Sequence, residues 1–162
     1  EEVPFRWMTG TQSHEGMAGT RAAIDHIAWS GREVSGNEGL GRREALKIAY
    51  SAIEEHEREL CLRMIHGLAE IDGLKIWGIT NPERIAERSP TVSFTHPKMV
   101  ASEIGALLAE RGIFVWAGNF YALELTEALG LEPEGVLRVG LLHYNSMEEV
   151  NFFISSVREI LG

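Results

Sequence analysis

One amphipathic stripe constrains the fold of this chain more than any other feature of its sequence. Between residues 42 and 71, apolar side chains recur every three or four positions, which places them on one side of an α-helix. The members of the stripe are Leu46, Ala49, Tyr50, Ile53, Leu60, Cys61, Met64, Ile65 and Leu68. A charged run at residues 54–59 interrupts the stripe, so the middle of the helix is expected to be more exposed. The pattern predicts one long helix that buries one face and ends at Asp72-Gly73.

Strand and helix patterns alternate after this helix. Short apolar segments typical of strands lie at residues 74–79, 91–95, 113–116 and 135–142. Helical patterns lie at residues 98–111, 123–129 and 146–161. The last helix begins with a capping box, Ser146-x-x-Glu149. We therefore predict an α/β (α+β) fold, in which a small mixed sheet of about four strands is covered by helices and a long helix leads in.

The first 41 residues have weaker patterns. A helix is predicted from His14 to Trp29, and the glycine-rich segment 30–41 is predicted to be a linker or mobile loop. The sequence begins with Glu1 rather than a methionine, which indicates a segment of a longer protein. Removal of a short tag or propeptide would give the same start.

Composition argues against several classes of function. The chain carries 15 Lys and Arg against 24 Asp and Glu, a formal net charge of -9. Such an acidic chain is a poor match for nucleic acid or an anionic membrane, and no apolar run reaches the ~18 residues of a membrane span. The single cysteine, Cys61, leaves no internal disulfide, so we expect a cytoplasmic protein. Its place on the stripe favours a core side chain over a reactive thiol.

Standard catalytic and metal-binding motifs are absent from the sequence. The six histidines fall in no ligand spacing, so no metal site is predicted. The Gly-x-Ser-x-Gly elbow, the phosphate loop and the dinucleotide fingerprint are missing as well. Motifs alone indicate no more than an acidic α/β domain.

Arg138 stands alone in the otherwise apolar strand predicted at residues 135–142. A guanidinium stays charged in such a setting and needs an anion or a path to water. Its forked shape suits a carboxylate held by two parallel hydrogen bonds. An arginine on the solvated face of a half-exposed strand would give the same pattern, and these residues alone do not separate the two interpretations.

The segment that begins at Arg138 resembles the R-x-S-x-x-x-Y-N-T-x-E-E-[IV] end of cysteine desulfurases and their class V aminotransferase relatives, which are fold type I pyridoxal-phosphate enzymes. The matching positions are Arg138, Tyr144, Asn145, Glu148, Glu149 and Val150. Residues 111–122 resemble the family's G-I-x-V-R-x-G-H-H-C-A segment, and residues 5–12 resemble its R-F-E-A-G-T-P-N segment. The three blocks follow the family's order and span nearly the whole chain.

The resemblance implies roles for four residues. Arg138 would bind the α-carboxylate of an amino-acid substrate, and Asn119, at the first of the family's paired histidines, would be a second substrate contact. Thr11 would contact the cofactor phosphate of the neighbouring subunit, with Gly10 allowing close backbone approach. A turn before a helix suits a phosphate physically, although an ordinary turn and helix cap has the same sequence. The cofactor would be pyridoxal 5'-phosphate, bound by a homodimeric parent protein and not by this chain alone.

Departures from the family's pattern limit the chemistry. Tyr121 stands at the position of the sulfur-accepting cysteine, Trp116 at that of an arginine and Phe120 at the second histidine. Because a tyrosine cannot replace a thiolate as a soft nucleophile, persulfide chemistry is not expected, and transamination, elimination and epimerisation stay open. The chain's lysines are Lys47, Lys75 and Lys98. None has the sequence context of the family's Schiff-base lysine, which would lie in a preceding domain.

The resemblance thus implies a two-part organisation. Residues 1–40 would be the end of the large pyridoxal-phosphate domain with a linker, and residues 41–162 the small C-terminal domain of a class V aminotransferase or cysteine desulfurase-like enzyme. We assign no catalytic residue and expect no turnover by this chain alone. Its expected partners are the amino-acid substrate and the N-terminal domain of the same protein. The alternatives are a free-standing, non-catalytic ligand-binding module and a dimerisation domain that uses the 42–71 helix.

Overall fold

The computed structural model describes residues 2–3 and 5–162, which form two units, residues 1–54 and 55–162. The division falls inside the long helix, whereas the sequence placed a boundary at residue 40. The assignment of these parts to the large and small domains of an enzyme stays a prediction.

The first unit contains helix α1, His14–Ser35, and the beginning of helix α2, Arg42–Ala69, after a short 3₁₀ turn at Phe5–Trp7. Helix α1 starts where predicted but continues six residues beyond Trp29, so the first half of the expected linker is helical. Gly31 explains the difference. A Cβ at Gly31 would lie 1.9 Å from the carbonyl oxygen of Ala45, so this glycine allows two helices to touch instead of ending one.

The second unit contains a four-stranded sheet and three further helices. The strands are β1, Lys75–Trp77; β2, Thr91–Thr95; β3, Trp116–Gly118; and β4, Val136–Gly140, and the helices are α3, Ala101–Ala109; α4, Leu123–Ala128; and α5, Met147–Leu161. A 3₁₀ helix at Pro82–Glu87 connects the first two strands. The expected α/β (α+β) class and the four strands are confirmed.

The sheet corrects one part of the expectation. Its order is β1-β2-β4-β3, and each of the pairings in the described chain is antiparallel, so the sheet is not mixed. Strands β2 and β3 flank helix α3 in sequence, but β4 inserts between them and runs antiparallel to both. Sequence periodicity reports the faces of a strand and carries no information about which strand lies beside it.

The core of the second unit lies on one face of the sheet. Val92, Phe94, Leu137 and Val139 point to this face and are buried against helices α2, α3 and α5. The second half of the predicted stripe, Leu60, Cys61, Met64, Ile65 and Leu68, is buried here, as expected. In the first half, Ala49 is buried but Tyr50 is 51% exposed, so that member of the stripe was wrong.

Two elements begin later in the structure than the sequence predicts. Helix α3 begins at Ala101 and not at Lys98, because Lys98 N donates a hydrogen bond to His96 Nδ1 at 3.3 Å and holds a turn there. Strand β3 begins at Trp116, the residue at which the predicted strand ended. No helix in the described part of the chain is long and apolar enough to span a membrane.

Candidate functional site

Arg138 lies on the face of the sheet opposite the core. It is exposed, whereas its strand neighbours Leu137 and Val139 are buried, because successive side chains of a strand point to opposite faces. The strand is therefore half-exposed, and the guanidinium has the path to water that its charge requires.

Strand register places two side chains beside Arg138 on this outer face and a third one strand further away. Arg138 pairs with Ser93 on β2 and with Trp116 on β3, and Ser93 pairs with Trp77 on β1. The resulting row, Trp77–Ser93–Arg138–Trp116, crosses all four strands and is called the outer row below. Cross-strand partners lie close enough for their side chains to contact a common ligand.

The guanidinium of Arg138 rests on the ring of Phe120, with Cζ 3.7 Å from the ring centroid. Such a cation–π contact stabilises a charged side chain by about 0.5–2 kcal/mol and limits its directions. Within residues 2–3 and 5–162, no carboxylate or hydrogen-bond acceptor engages the Arg138 guanidinium. Its donors are therefore free for a ligand.

The loop that carries Phe120 has an unusual backbone. Phe120 and Tyr121 have φ values of 56° and 61°, in the left-handed region that side chains other than glycine adopt at a cost of roughly 1–2 kcal/mol each. Asn119 holds the turn, since its Oδ1 accepts a hydrogen bond from Tyr121 N at 3.2 Å and its carbonyl oxygen accepts one from Ala122 N at 2.9 Å. The predicted substrate contact thus also has a local structural role.

A glycine pair fixes the start of this loop. A Cβ at Gly135, which has φ 67°, would lie 2.2 Å from the carbonyl carbon of Gly118, so the two backbones touch. Gly118 itself has φ 131°. This contact joins the beginning of β4 to the end of β3 and sets where Phe120 lies under Arg138.

Residues 116–121 and Arg138 line an open hollow of about 390 Å³. We call it the Arg138 hollow. It brings together the two predicted substrate-binding residues, Arg138 and Asn119, and adds Phe120 and Trp116, which stand where the family has a histidine and an arginine. Ser93 pairs with Arg138 in the outer row but does not line the hollow. Its position was not predicted, because a single sequence does not show which residues pair across strands.

The predicted phosphate contacts lie in the first unit. Gly10 and Thr11 are exposed in the turn that precedes helix α1. A Cβ at Gly10 would have no heavy atom within 4 Å, so the backbone is open to a ligand. The cap of the helix is Ser13, whose side chain accepts from Gly16 N at 3.3 Å. Thr11 is therefore not the capping residue.

The Tyr-Asn-Ser-x-Glu-Glu segment builds the turn between β4 and α5. Asn145 Oδ1 accepts from Leu142 N at 2.8 Å, and Asn145 Nδ2 donates to Glu149 Oε2 at 3.1 Å. The predicted capping box is present, with Ser146 N donating to Glu149 Oε2 at 2.9 Å and Glu149 N donating to Ser146 Oγ at 3.2 Å. Hydrogen bonds from Ser146 and Asn145 lower the pKa of Glu149. These hydrogen bonds give Asn145, Ser146 and Glu149 a structural role.

The lysines and the cysteine of the chain lie outside the Arg138 hollow. Lys47 pairs with Glu44 at 3.1 Å, Lys75 lies over the Trp77 ring at 3.6 Å, and all three lysines are exposed. Cys61 is a core residue, and burial raises the pKa of its thiol, an effect that Arg88 opposes. No group of three or more His, Cys, Asp or Glu side chains in the described ranges is placed to hold a metal ion.

Relatives of known structure share this fold. The apo cysteine desulfurase of Thermococcus onnurineus NA1 is 29% identical and superimposes with a TM-score of 0.65 over 74% of this chain and 28% of that one. The cysteine desulfurase CsdA of Escherichia coli, in its S-sulfonic acid form, covers 100% of this chain and 35% of its own with a TM-score of 0.73. At 23% identity, the second likeness concerns the fold alone.

Sequence comparison identifies the family. The aminotransferase-like protein FGM3 of Gibberella zeae is 37% identical over 117 residues, which are 71% of this chain and 29% of that protein. This chain therefore spans about a third or less of the length of the relatives it matches. The model of the aminotransferase class-V family matches residues 40–153. Because this match covers well over half of the chain, the resemblance seen in its motifs is confirmed, and the chain belongs to the class V aminotransferase family.

Proposed function

We propose that this chain supplies the small C-terminal domain, and the end of the large domain, of a pyridoxal-phosphate enzyme that acts on an amino acid. Arg138 binds the α-carboxylate of the substrate. One observation carries the proposal: the Arg138 guanidinium is exposed, rests on Phe120 and has no carboxylate partner among the described residues. A forked cation with free donors, held in direction by a ring, suits bidentate binding of a carboxylate.

Asn119 in the Arg138 hollow and Ser93 in the outer row support this role. The Oδ1 of Asn119 accepts from Tyr121 N, which leaves the Nδ2 group of Asn119 as a donor for the substrate. Ser93 lies beside Arg138 in the outer row and offers a hydroxyl to the same carboxylate. Binding at these groups would orient the substrate, because a carboxylate held by several fixed donors has little rotational freedom.

The described residues could contact the phosphate of pyridoxal phosphate, but none is placed to bind this cofactor covalently through a lysine. The turn at Gly10 and Thr11 offers an open backbone and a hydroxyl, as a phosphate of the neighbouring subunit's cofactor requires. The lysines are exposed, and none lines the Arg138 hollow. Pyridoxal phosphate, when bound, withdraws electrons from the substrate Cα and weakens the bonds to that atom. The attaching lysine would belong to the preceding domain of a homodimeric, cytoplasmic enzyme.

Tyr121 limits the reactions that we propose for this site. It is fully exposed at the position where the family has its sulfur-accepting cysteine. A phenol is a poor nucleophile toward an activated sulfur, so the proposed reactions are transamination, elimination or epimerisation.

Titration of the chain with L-alanine, followed by NMR at the Arg138 side chain, tests the carboxylate role. Wild type and an Arg84→Ala control, which removes an exposed arginine outside the hollow, are expected to show the same saturable shifts. Arg138→Ala is expected to lose them, and Arg138→Lys to bind more weakly because an ammonium lacks the forked geometry. Unchanged binding by Arg138→Ala would contradict the proposal.

Addition of pyridoxal phosphate followed by borohydride reduction tests the assignment of the attaching lysine to another domain. We expect no stoichiometric label on Lys47, Lys75 or Lys98, as peptide mass mapping would show. A single lysine labelled to completion would mean that this chain carries its own attachment site.

A further inference from the structure

We infer that the Arg138 hollow selects amino acids with a large, flat apolar side chain and disfavours those with a second carboxylate. In this assignment Trp116 determines specificity. The inference rests on the proposed binding of a substrate carboxylate by Arg138, and it concerns the rest of the substrate.

The charge of the hollow argues against dicarboxylates. Of the residues that line it, all within the described chain, Arg138 alone is charged. One guanidinium can pair with one carboxylate in bidentate geometry. A second carboxylate would lie among aromatic rings and backbone without a cation, and would lose hydration with no compensating partner.

The outer row indicates where the side chain of the substrate lies. Trp116 is the direct cross-strand partner of Arg138 and is 70% exposed, so its indole presents a large uncovered surface next to the carboxylate site. Tyr121, also in the lining, is fully exposed. A flat apolar group extending from the carboxylate toward β3 would cover these rings, and stacking on an aromatic ring adds to the burial of apolar surface.

On the β1 side of Arg138, the outer row ends at Trp77, whose side chain already contacts other residues. Trp77 lies under the Lys75 ammonium at 3.6 Å, and its Nε1 donates to Thr95 Oγ1 at 3.1 Å. Its ring face and its polar atom are therefore both engaged. Trp116 has no such partners among the described residues, which makes the β3 side of Arg138 the open one.

The backbone of the loop supports a ligand contact at the same place. Phe120 and Tyr121 are consecutive aromatic residues in the left-handed region, where glycine or asparagine is the usual choice. Strain of this kind persists when the surroundings impose it, and it is concentrated at ligand-binding sites. Here the Gly118–Gly135 contact and the Asn119 turn impose it. The strained conformation places Phe120 under the guanidinium.

Binding of three amino acids to the 162-residue chain tests the inference. L-phenylalanine is expected to bind roughly tenfold more tightly than L-alanine, the ratio that one stacked ring gives. L-aspartate is expected to bind no more tightly than L-alanine. Trp116→Ala should reduce the preference for phenylalanine to near unity, and Trp116→Phe should keep most of it. Trp7→Ala is the matched control, since Trp7 is 76% exposed and lies outside the hollow.

The outcomes separate this inference from the function on which it rests. Equal affinities for phenylalanine and alanine, both lost in Arg138→Ala, would overturn the inference and leave the carboxylate role of Arg138 in place. A phenylalanine preference that survives Trp116→Ala would overturn the assignment to Trp116. Amino-acid binding that does not depend on Arg138, or no binding of any of the three, would overturn both proposals.

Discussion

Phe120 and Arg138 show how a single residue's environment is set by neighbours distant in sequence. The guanidinium and the ring meet at 3.7 Å although 17 intervening residues include helix α4 and the glycine turn before β4. Without Phe120 the arginine would keep its charge and exposure but would lose the surface that limits its directions. Single residues also fix the turn that follows β4, which is held by the hydrogen bonds of Asn145 and Glu149.

Glu149 gives a residue-scale prediction about pH. Hydrogen bonds from Ser146 and Asn145 lower its pKa, so its carboxylate stabilises the folded state above the usual glutamate pKa, and this contribution disappears as the pH falls through the lowered value. Glu149→Gln keeps an acceptor at the capping position but cannot titrate. We expect the free energy of unfolding of wild type to fall more steeply on acidification than that of Glu149→Gln, as urea denaturation would measure.

The matched control for this titration is Glu87→Gln. The pKa of Glu87 is also lowered, by its hydrogen bond with Arg84, so this variant should lose a separate part of the acid dependence. Identical acid profiles for wild type and Glu149→Gln would contradict the role assigned to the capping box.

At the scale of elements, close backbone contacts at glycines determine how the helices and strands meet. Gly31 allows α1 to touch α2 in the first unit, and Gly67 allows α2 to pack on Ile154 of α5 in the second, where a Cβ would lie 2.5 Å from the isoleucine side chain. Neither glycine has the positive φ that marks a turn. Both are packing residues inside helices.

Gly31→Ala tests the first of these contacts. A Cβ 1.9 Å from the Ala45 carbonyl oxygen forces the helices apart, so we expect the free energy of unfolding to fall by roughly 1–3 kcal/mol. Gly19→Ala, in the same helix with no heavy atom within 4 Å of the added Cβ, should instead raise it by up to about 1 kcal/mol through helix propensity. Denaturant unfolding of the two variants measures both effects. Equal changes of the same sign would mean that the contact is unimportant.

Gly135→Ala tests the contact that places the Phe120 loop. Gly135 and Gly130 have nearly equal φ values, 67° and 68°, so an alanine is strained alike at both. The surroundings differ: a Cβ added at Gly135 would lie 2.2 Å from the carbonyl carbon of Gly118, whereas a Cβ added at Gly130 would have no heavy atom within 4 Å. We expect Gly135→Ala to be the more destabilising by roughly 1–3 kcal/mol.

A second measurement separates this positional role from simple destabilisation. The Arg138 side-chain NMR signal should shift in Gly135→Ala and not in Gly130→Ala, because only the first displaces Phe120. An unshifted Arg138 signal in a folded Gly135→Ala protein would contradict the role of this glycine in positioning the loop.

At the scale of the whole molecule, the second unit places its hydrophobic core and the proposed binding site on opposite faces of the sheet. Helices α2, α3 and α5 cover one face of the sheet and form its core, while the opposite face carries the outer row with Arg138. Substitutions on the outer face should therefore change ligand binding with little effect on folding. The relatives of this chain in the class V aminotransferase family are longer proteins, and the chain spans about a third or less of their length.

In the longer enzyme proposed above, Arg138→Ala is expected to raise KM for the proposed amino-acid substrate by roughly 10- to 100-fold, the loss that follows from removing a charged hydrogen-bonding partner. We expect a smaller change in kcat, because the carboxylate is bound in the ground state as well as in the transition state. Steady-state kinetics measure the split. An unchanged KM with a reduced kcat would move Arg138 from substrate binding to the chemical step.

The sequence by itself determined the elements and much of the core. The stripe of α2, the capping box of α5 and the alternation around Arg138 are set by local periodicity and short-range hydrogen bonds, so one sequence suffices to find them. The family motifs likewise identified Arg138 and Asn119 as members of one candidate site, and the structure places both at the same hollow.

Only the tertiary structure decided how these parts meet. The insertion of β4 between β2 and β3, the partners of Arg138 in the outer row, and the use of Gly31 and Gly135 as contact points depend on residues far apart in the chain. Periodicity tells which face of an element is buried, because burial follows hydrophobicity along one element. Periodicity does not show which neighbouring element covers that face, because packing and backbone pairing between elements determine it.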